Sequence, residues 1–358
     1  MSPSIVYFIS ANGNDSSGVM SDKISRLIRS SGVLDPIAKD DFTAVKMHFG
    51  EDENEGHIKS DWTTEILRHL KAKTKNAFLT DSNVIYKDSL RTNAVDHLIL
   101  ADKHGFNLGS TGVPVIIADG LLGANFKQIP VAKKHFKTVK IATEIGTSDS
   151  MLVLTHVTGH MLTGLGGAIK NLGMGCASRR GKYEQHCGIV PAVNAASCVR
   201  CGMCVASCPA SCISVGTSGV SIASESCLGC GEFVVTCRTK ALEIKWSESV
   251  GKLQEKMVEY AYGVMKAVKG KTGFISFLIK ITKDCDCIAR DEDRIIDDLG
   301  ILASTDPVSI DKASVDLMMG ASGTDVLKKG YPEANWTIQL NYASKMGLGS
   351  LDYKLERL

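Results

Sequence analysis

The stretch from Cys198 to Cys237 constrains this chain more than any other. It reads CVRCGMCVASCP, then a spacer, then CLGCGEFVVTC. Cys198, Cys201, Cys204 and Cys208, with Pro209 next, have the C-x2-C-x2-C-x3-C-P spacing of bacterial two-cluster ferredoxins. A cube of iron and sulfide takes thiolates on separate corners. Three closely spaced cysteines wrap one cube, and the fourth reaches the other.

The second half is incomplete. The same spacing calls for cysteines at 227, 230, 233 and 237, but position 233 is Phe233, and Arg238 stands where proline is expected. Crossed ligation assigns Cys198, Cys201, Cys204 and Cys237 to cluster I, a full [4Fe-4S] set. Cluster II receives Cys208, Cys227 and Cys230 and lacks one protein thiolate. The alternatives are a [3Fe-4S] cluster, a [4Fe-4S] cluster with a non-standard fourth ligand, or no second cluster. Cys212 and Cys187 are the nearest outside thiols in sequence. Structural zinc is the plainer reading of clustered cysteines, but this run crowds too many thiolates for one tetrahedral ion.

A length of 358 residues suits two domains, or one large domain with an insertion. Hydrophobic residues make up 44%, enough for a sizeable core, and a net charge of +2 gives no reason to expect nucleic acid. No secretory signal and no membrane-length apolar run is visible. Thiolates kept for clusters imply a reducing compartment, so the expected location is cytoplasmic, and an anaerobic host is consistent with it.

Around the cysteines the texture is α/β. Apolar strand-like runs at 4–10, 43–49, 77–80, 113–118, 139–143, 151–155 and 273–281 alternate with amphipathic stretches, among them 20–28, 92–104 and 251–268. The expected fold is a largely parallel sheet flanked by helices. It is interrupted by a bacterial ferredoxin-like α+β module at 189–246, which splits the α/β domain into 1–188 and 247–358. Three successive domains are the alternative. Within the module SCISV (211–215) and ALEIKW (241–246) match one another, an internal repeat.

Polar residues recur just past the strand ends: His48, Asp81, Asp119, His156 and His160. Ligands of open α/β sheets bind outside the carboxyl ends of the strands, so this set predicts a pocket, with His156 and His160 as candidate catalytic residues. Each residue taken alone is better read as a turn cap. The glycine-rich Thr163–Gly175 can turn N–H groups toward an anion, with Lys170 adding charge. It matches no nucleotide fingerprint, and a turn packed on the sheet is the preferred reading. Cys285 and Cys287 flank Asp286 beyond another strand. They are read as two buried thiols in a turn, in preference to a metal site with His156 or His160 or a missing cluster ligand.

The chain resembles the iron–sulfur members of the conserved prokaryotic family called domain of unknown function 362. The resemblance rests on VKMHFGE (45–51), LTDSNVIY (79–86), NAVDHL (93–98), GHMLTGLGGAIKNLGMG (159–175), CDC (285–287) and DLGILASTDPVSIDKASVDL (298–317). It implies an α/β domain interrupted by a two-cluster ferredoxin module and says little about a reaction. Two departures stand out: Phe233 in place of a cluster cysteine, and Thr158 where such members often carry lysine.

The function expected from these residues is one-electron transfer by iron–sulfur clusters, to a redox partner protein or to a small molecule in the crevice. A cluster-dependent reductase with proton supply from His156 or His160 is the alternative. Non-redox Lewis-acid chemistry at an open iron and purely structural clusters are further alternatives.

Overall fold

The computed structural model describes residues 3–85, 89–186, 190–208, 210–227, 233–243 and 249–358. Cys187, Cys230 and Trp246 lie outside those residues, as do the side chains of Val234 and Val235. Eight strands form the main sheet: β1 (Ser4–Ser10), β2 (Thr43–Lys46), β3 (Ala77–Asp81), β4 (Val115–Ile117), β5 (Ser150–His156), β6 (Thr272–Leu278), β7 (Gly300–Ser304) and β8 (Tyr353–Arg357). Their spatial order is β8-β1-β7-β6-β5-β2-β3-β4. Only β7 runs antiparallel to its neighbours, so the sheet is mostly parallel, as expected.

The central strands are buried on both faces, which is why they read as continuous apolar runs rather than alternating ones. Along β5, Met151 and Val153 enter the core on one side while Leu152 and Leu154 enter the core on the other. Each such side chain contributes roughly 1.5–3 kcal/mol by leaving water. One face is covered by α1 (Ser17–Ser31) and α2 (Ser60–Lys71). The other is covered by α4 (Ala168–Gly173), α6 (Val250–Ala267) and α7 (Pro307–Ser322). Between them in sequence lie α3 (Ala94–Lys103) and α5 (Arg179–His186). Asp306 caps α7 by accepting from Val308 and Ser309 N–H, with Pro307 at the first turn.

Strands before and after the cysteine-rich stretch share this one sheet: β6 pairs with β5, and β7 with β1. Two expectations change. Residues Thr138–Ala142 form a strand, but it pairs antiparallel with Phe126–Pro130 in a separate hairpin. The link between the two is too short for the crossover of a dozen or more residues that parallel pairing needs. Strand β7, with Ile301, Leu302 and Ala303 buried, lies in a stretch the sequence reading assigns no strand.

The cysteine-rich stretch carries two small sheets of its own. Ala192–Val193 pairs with Leu242–Glu243, and Ile213–Gly216 with Gly219–Ile222. Each half runs strand, cysteines, short helix, strand, with the helices at Met203–Ala206 and Phe233–Thr236. Ser211 and Lys240, three residues past Cys208 and Cys237, both hold positive φ, at 49° and 55°. The strands Ile213–Gly216 and Leu242–Glu243 each begin two residues further on, so the described parts of the two stretches match; residues 244–246 lie outside the described residues.

Candidate functional site

From the adjacent strands β5 and β2 the chain proceeds outward in opposite directions, through β3 and β4 on one side and β6 on the other. Such a reversal opens a crevice at the carboxyl ends. A cavity open to solvent occupies it, about 920 Å³ of empty space when its open mouth is counted. Lys46 and His48 come from the end of β2, Asp81 and Ser82 from β3, and Thr155 and His156 from β5. The segment after β5 adds Thr158 and His160, the helices add Lys170, Lys182 and His186, and the turn after β6 adds Cys285, Asp286 and Cys287.

Of the five polar residues singled out in the sequence, His48, Asp81, His156 and His160 line this cavity and Asp119 does not. Asp119 is buried behind it, accepting from Asn83 N–H, the Asn83 side chain and Arg179 N–H, and burial pushes its carboxyl up to about 6. Asp119 therefore braces loops.

His156 has both ring nitrogens engaged. Nδ1 lies 2.9 and 3.0 Å from the Asp286 carboxylate, and Nε2 lies 2.9 Å from the Ile279 carbonyl. Burial acts to lower its pKa, but the Asp286 charge and these hydrogen bonds outweigh it and raise the value. His156 thus pins the 284–287 turn through both ring nitrogens.

His160 is different. Its Nδ1 accepts from the N–H groups of Leu162 and Thr163, both at 3.1 Å. The remaining proton of the neutral ring must then sit on Nε2. Burial and the Lys170 charge hold its pKa down to about 3. His160 is a neutral N–H donor at physiological pH. The glycine before it is a packing requirement, since a Cβ on Gly159 would run into the Lys283 carbonyl. Gly159 N–H also donates to the Thr282 carbonyl at 2.9 Å, which holds the Thr158–His160 strand against the cysteine-bearing turn.

The glycine-rich stretch does turn N–H groups toward an anion, but that anion is part of the chain. The buried Asp311 carboxylate accepts from Ala168 N–H at 2.6 Å and Ile169 N–H at 2.9 Å, at the start of α4. The stretch is more than the expected turn: Gly164–Gly166 is a short strand and Ala168–Gly173 is helix α4, which carries Lys170 to the cavity with Nζ 3.6 Å from Cys285 Sγ.

Cys285 and Cys287 are partly exposed and line the cavity, so they are not simply packed in the core. Asp284, also in this turn, is held by Tyr331 and, at 3.0 Å, by Arg290. The hydrogen bond from Cys287 and, against the cost of burial, the Lys170 charge lower the Cys285 thiol to about 6. Cys287 is shifted the other way, raised by the same bond and by burial. His48 Nε2 lies 3.5 Å from Cys287 Sγ. Because His48 Nδ1 accepts from Gly50 N–H, its Nε2 carries the proton and donates to sulfur.

In the cavity wall, buried charges are matched. Lys46 meets Asp81 at 3.0 Å, and Arg91 meets Glu51 at 3.0 Å. Lys182 donates to Ser82 and to the Asn83 and Ala177 carbonyls, and burial lowers its pKa to about 8. Sequence reasoning missed Lys46, Arg91 and Lys182; Lys46 in the apolar run TAVKMHF was the one readable signal.

A second, small hollow lies in the cysteine-rich stretch. Cys198, Cys201, Cys204 and Cys237 line it together, with Val215, Val220 and Leu242 among its apolar walls. In the other half Cys208 Sγ is 3.5 Å from Cys212 Sγ, and Cys212 is hydrogen-bonded to Cys227 as well. Cys230 and Cys187 lie outside the described residues. Phe233, where a cysteine was expected, is buried against Tyr183, Cys204 and Leu242. Among the described residues no group of three or more His, Cys, Asp or Glu is placed to hold a single metal ion.

The family profile described as Domain of unknown function (DUF362) matches residues 43–316, which include both cavities. The chain belongs to the DUF362 family. No curated protein matches it. Among solved structures, this DUF362 protein is similar to the lactate racemase apoprotein from Thermoanaerobacterium thermosaccharolyticum, at 10% identity and a TM-score of 0.39, over 77% of this chain and 50% of that one. It is also similar to a protein from Thermotoga maritima, at 10% identity and a TM-score of 0.42, over 94% of this chain and 60% of that one. Among the described residues, no helix of this DUF362 chain is long and apolar enough to cross a membrane.

Proposed function

We propose that this protein is an iron–sulfur electron-transfer protein of a reducing, cytoplasmic compartment. The carrying observation is the shared cavity of Cys198, Cys201, Cys204 and Cys237, the four thiols that crossed ligation assigns to one cube. Soft thiolate donors in this number suit an iron–sulfur group, and the cavity lies between them. A [4Fe-4S] cluster bound there supplies one-electron transfer. Val215, Val220 and Leu242 keep water from one side of the site. Cys201 and Val199 are exposed on the other, the side from which a redox partner protein gains access. Cys208, Cys227 and Cys230 are the protein ligands proposed for a second cluster.

Anaerobic purification with iron and sulfide analysis and EPR tests this. The expected result is about four irons per chain from the first site, rising toward seven or eight with the second, and a signal on dithionite reduction. Zinc in place of iron, or iron-free protein, rejects it.

A cluster-dependent reductase is the second reading, favoured by α5. Lys182 and His186 of this helix line the crevice, while Tyr183 between them packs on Phe233 in the cysteine-rich stretch. One helix thus touches both places. In this reading a small molecule sits in the crevice with His160 Nε2–H as a hydrogen-bond donor to it. His160→Gln is expected to abolish substrate-dependent reoxidation of the reduced protein and leave its EPR signal unchanged. Unaltered reoxidation rejects this reading.

A further inference from the structure

We infer that Cys285 and Cys287 are a redox-active dithiol–disulfide couple in the crevice, reacting with an organic disulfide. This goes beyond the iron–sulfur reading and does not rest on it.

Four observations carry it. Both residues are partly exposed and line the open crevice, the side from which a reagent approaches. They stand one residue apart in the same turn, so one short loop carries both thiols. Each faces an N–H donor of its own: Lys170 Nζ lies 3.6 Å from Cys285, and His48 Nε2 lies 3.5 Å from Cys287. Donors placed this way stabilise a thiolate, the reactive form of cysteine. Finally, the turn is held from behind. Asp286, between the two, is bound to His156, so its carboxylate is drawn toward that ring. The low value of about 6 at Cys285 agrees with this geometry. The groups facing the pair from other elements are Lys170, His48, His160 and, at longer range, Arg91, while the Asp286 charge within the turn opposes the Cys285 thiolate. The Nδ1 of His48 and of His160 is taken up by backbone N–H groups, which leaves the Nε2 proton of each neutral ring as a donor instead of a metal ligand.

The chemistry balances as thiol–disulfide exchange. The Cys285 thiolate attacks one sulfur of RS–SR. A Cys285–S–SR bond forms, the RS–SR bond breaks, and RS⁻ leaves, taking a proton from solvent. Cys287 then loses its proton and its sulfur attacks Cys285 Sγ. The Cys285–SR bond breaks, the second RS⁻ leaves and takes up that proton. The protein dithiol is oxidised by two electrons to Cys285–S–S–Cys287, and the organic disulfide is reduced by two electrons to two thiols.

The test uses the full chain, treated briefly and anaerobically with 4,4′-dithiodipyridine, acid-quenched, alkylated and mapped by mass spectrometry. The expected product is a peptide around residues 285–287 that has lost two hydrogens and resists alkylation. In Cys287→Ser the same peptide is expected to carry a mixed disulfide at Cys285. Lys170→Met is expected to slow modification of Cys285 at pH 7 about tenfold, with the midpoint of its pH–rate profile moved upward. Two freely alkylated thiols in the treated unmutated chain overturn the inference. So does a mixed disulfide there that never closes, and so does a Lys170→Met profile that does not move.

Discussion

The Tyr183 and Phe233 rings meet edge to face, with centroids 4.9 Å apart at 90°. Tyr183 belongs to α5, whose neighbouring residues line the crevice, and Phe233 takes the position where ferredoxin spacing puts a cysteine. The departure from the cysteine pattern therefore has a packing partner. Phe233→Ala is expected to cost about 3–5 kcal/mol, the usual range for emptying a buried phenylalanine site. The loss should be local, as faster hydrogen exchange in residues 192–243 and in α5 and little change in β5 and β6. A uniform change across the main sheet would contradict this.

Cys237 and Cys176 make a matched pair of tests for the cluster proposal. Cys237 lines the cavity with Cys198, Cys201 and Cys204, whereas Cys176 is buried in the main core and burial pushes its thiol up to about 12. Cys237→Ala is expected to lower iron content and alter the reduced EPR signal. Cys176→Ala is expected to leave both unchanged and to cost only a little stability. Equal iron in the two variants would remove Cys237 from the ligand set.

The His156–Asp286 pair gives the crevice a defined pH window. Burial opposes ionisation of Asp286, but His156 outweighs it and its pKa is lowered. Its contribution is present above the unfolded carboxylate value of about 3.9 and lost as pH falls further. His156 is raised, so its contribution is complete below about 6.5 and lost as pH rises through the folded value. The pair's effect on stability is thus greatest between about pH 4 and 6.5, readable from denaturant unfolding across pH. His156→Gln leaves a buried charge unpaired and is expected to cost about 3–5 kcal/mol, flattening the alkaline limb of that profile. An unchanged profile in the variant would show that the pair does not act this way.

Gly159→Ala tests how the turn is seated. Its new Cβ would run into the Lys283 carbonyl, which is backbone and cannot rotate aside. The strand at 158–160 and the 282–287 turn must separate. Overpacking of this kind costs typically about 1–3 kcal/mol. Alkylation of Cys285 at pH 7 should also slow, because Lys170 and the turn no longer share the same spacing. Stability and Cys285 reactivity both equal to those of the unmutated chain would refute this account of the contact.

Asp311 explains what the glycine-rich stretch is for. Asp311→Asn keeps the size but replaces one acceptor oxygen with a donor, facing Ala168 N–H or Ile169 N–H. A buried hydrogen bond lost in this way costs about 1–3 kcal/mol. The expected readout is a lower denaturation midpoint with faster exchange at the two amides. Protection unchanged at both would assign their satisfaction to some other acceptor.

Much of this molecule was written locally. Strands β2, β3, β5 and β6 follow from runs of apolar residues, because a strand buried on both faces needs no other pattern. The repeated cysteine spacing likewise announced two matching halves, since each half is a short unit set by its own turns. The residues of the crevice were partly legible for the same reason: chain leaving a parallel strand must emerge at its carboxyl end, so His48, Asp81, His156 and His160 were bound to gather there. Roles were not legible. Only tertiary contacts decided that His156 is tied to Asp286, that Asp119 stands behind the wall, and that the partner of the glycine-rich N–H groups is Asp311, far along the chain. Cys285 and Cys287 show this most clearly. In sequence they are two thiols in a turn, and the approach of Lys170 to one and of His48 to the other comes from distant elements. Hydrophobic periodicity is a property of neighbours in the chain, whereas the charge state of a buried group depends on neighbours in space.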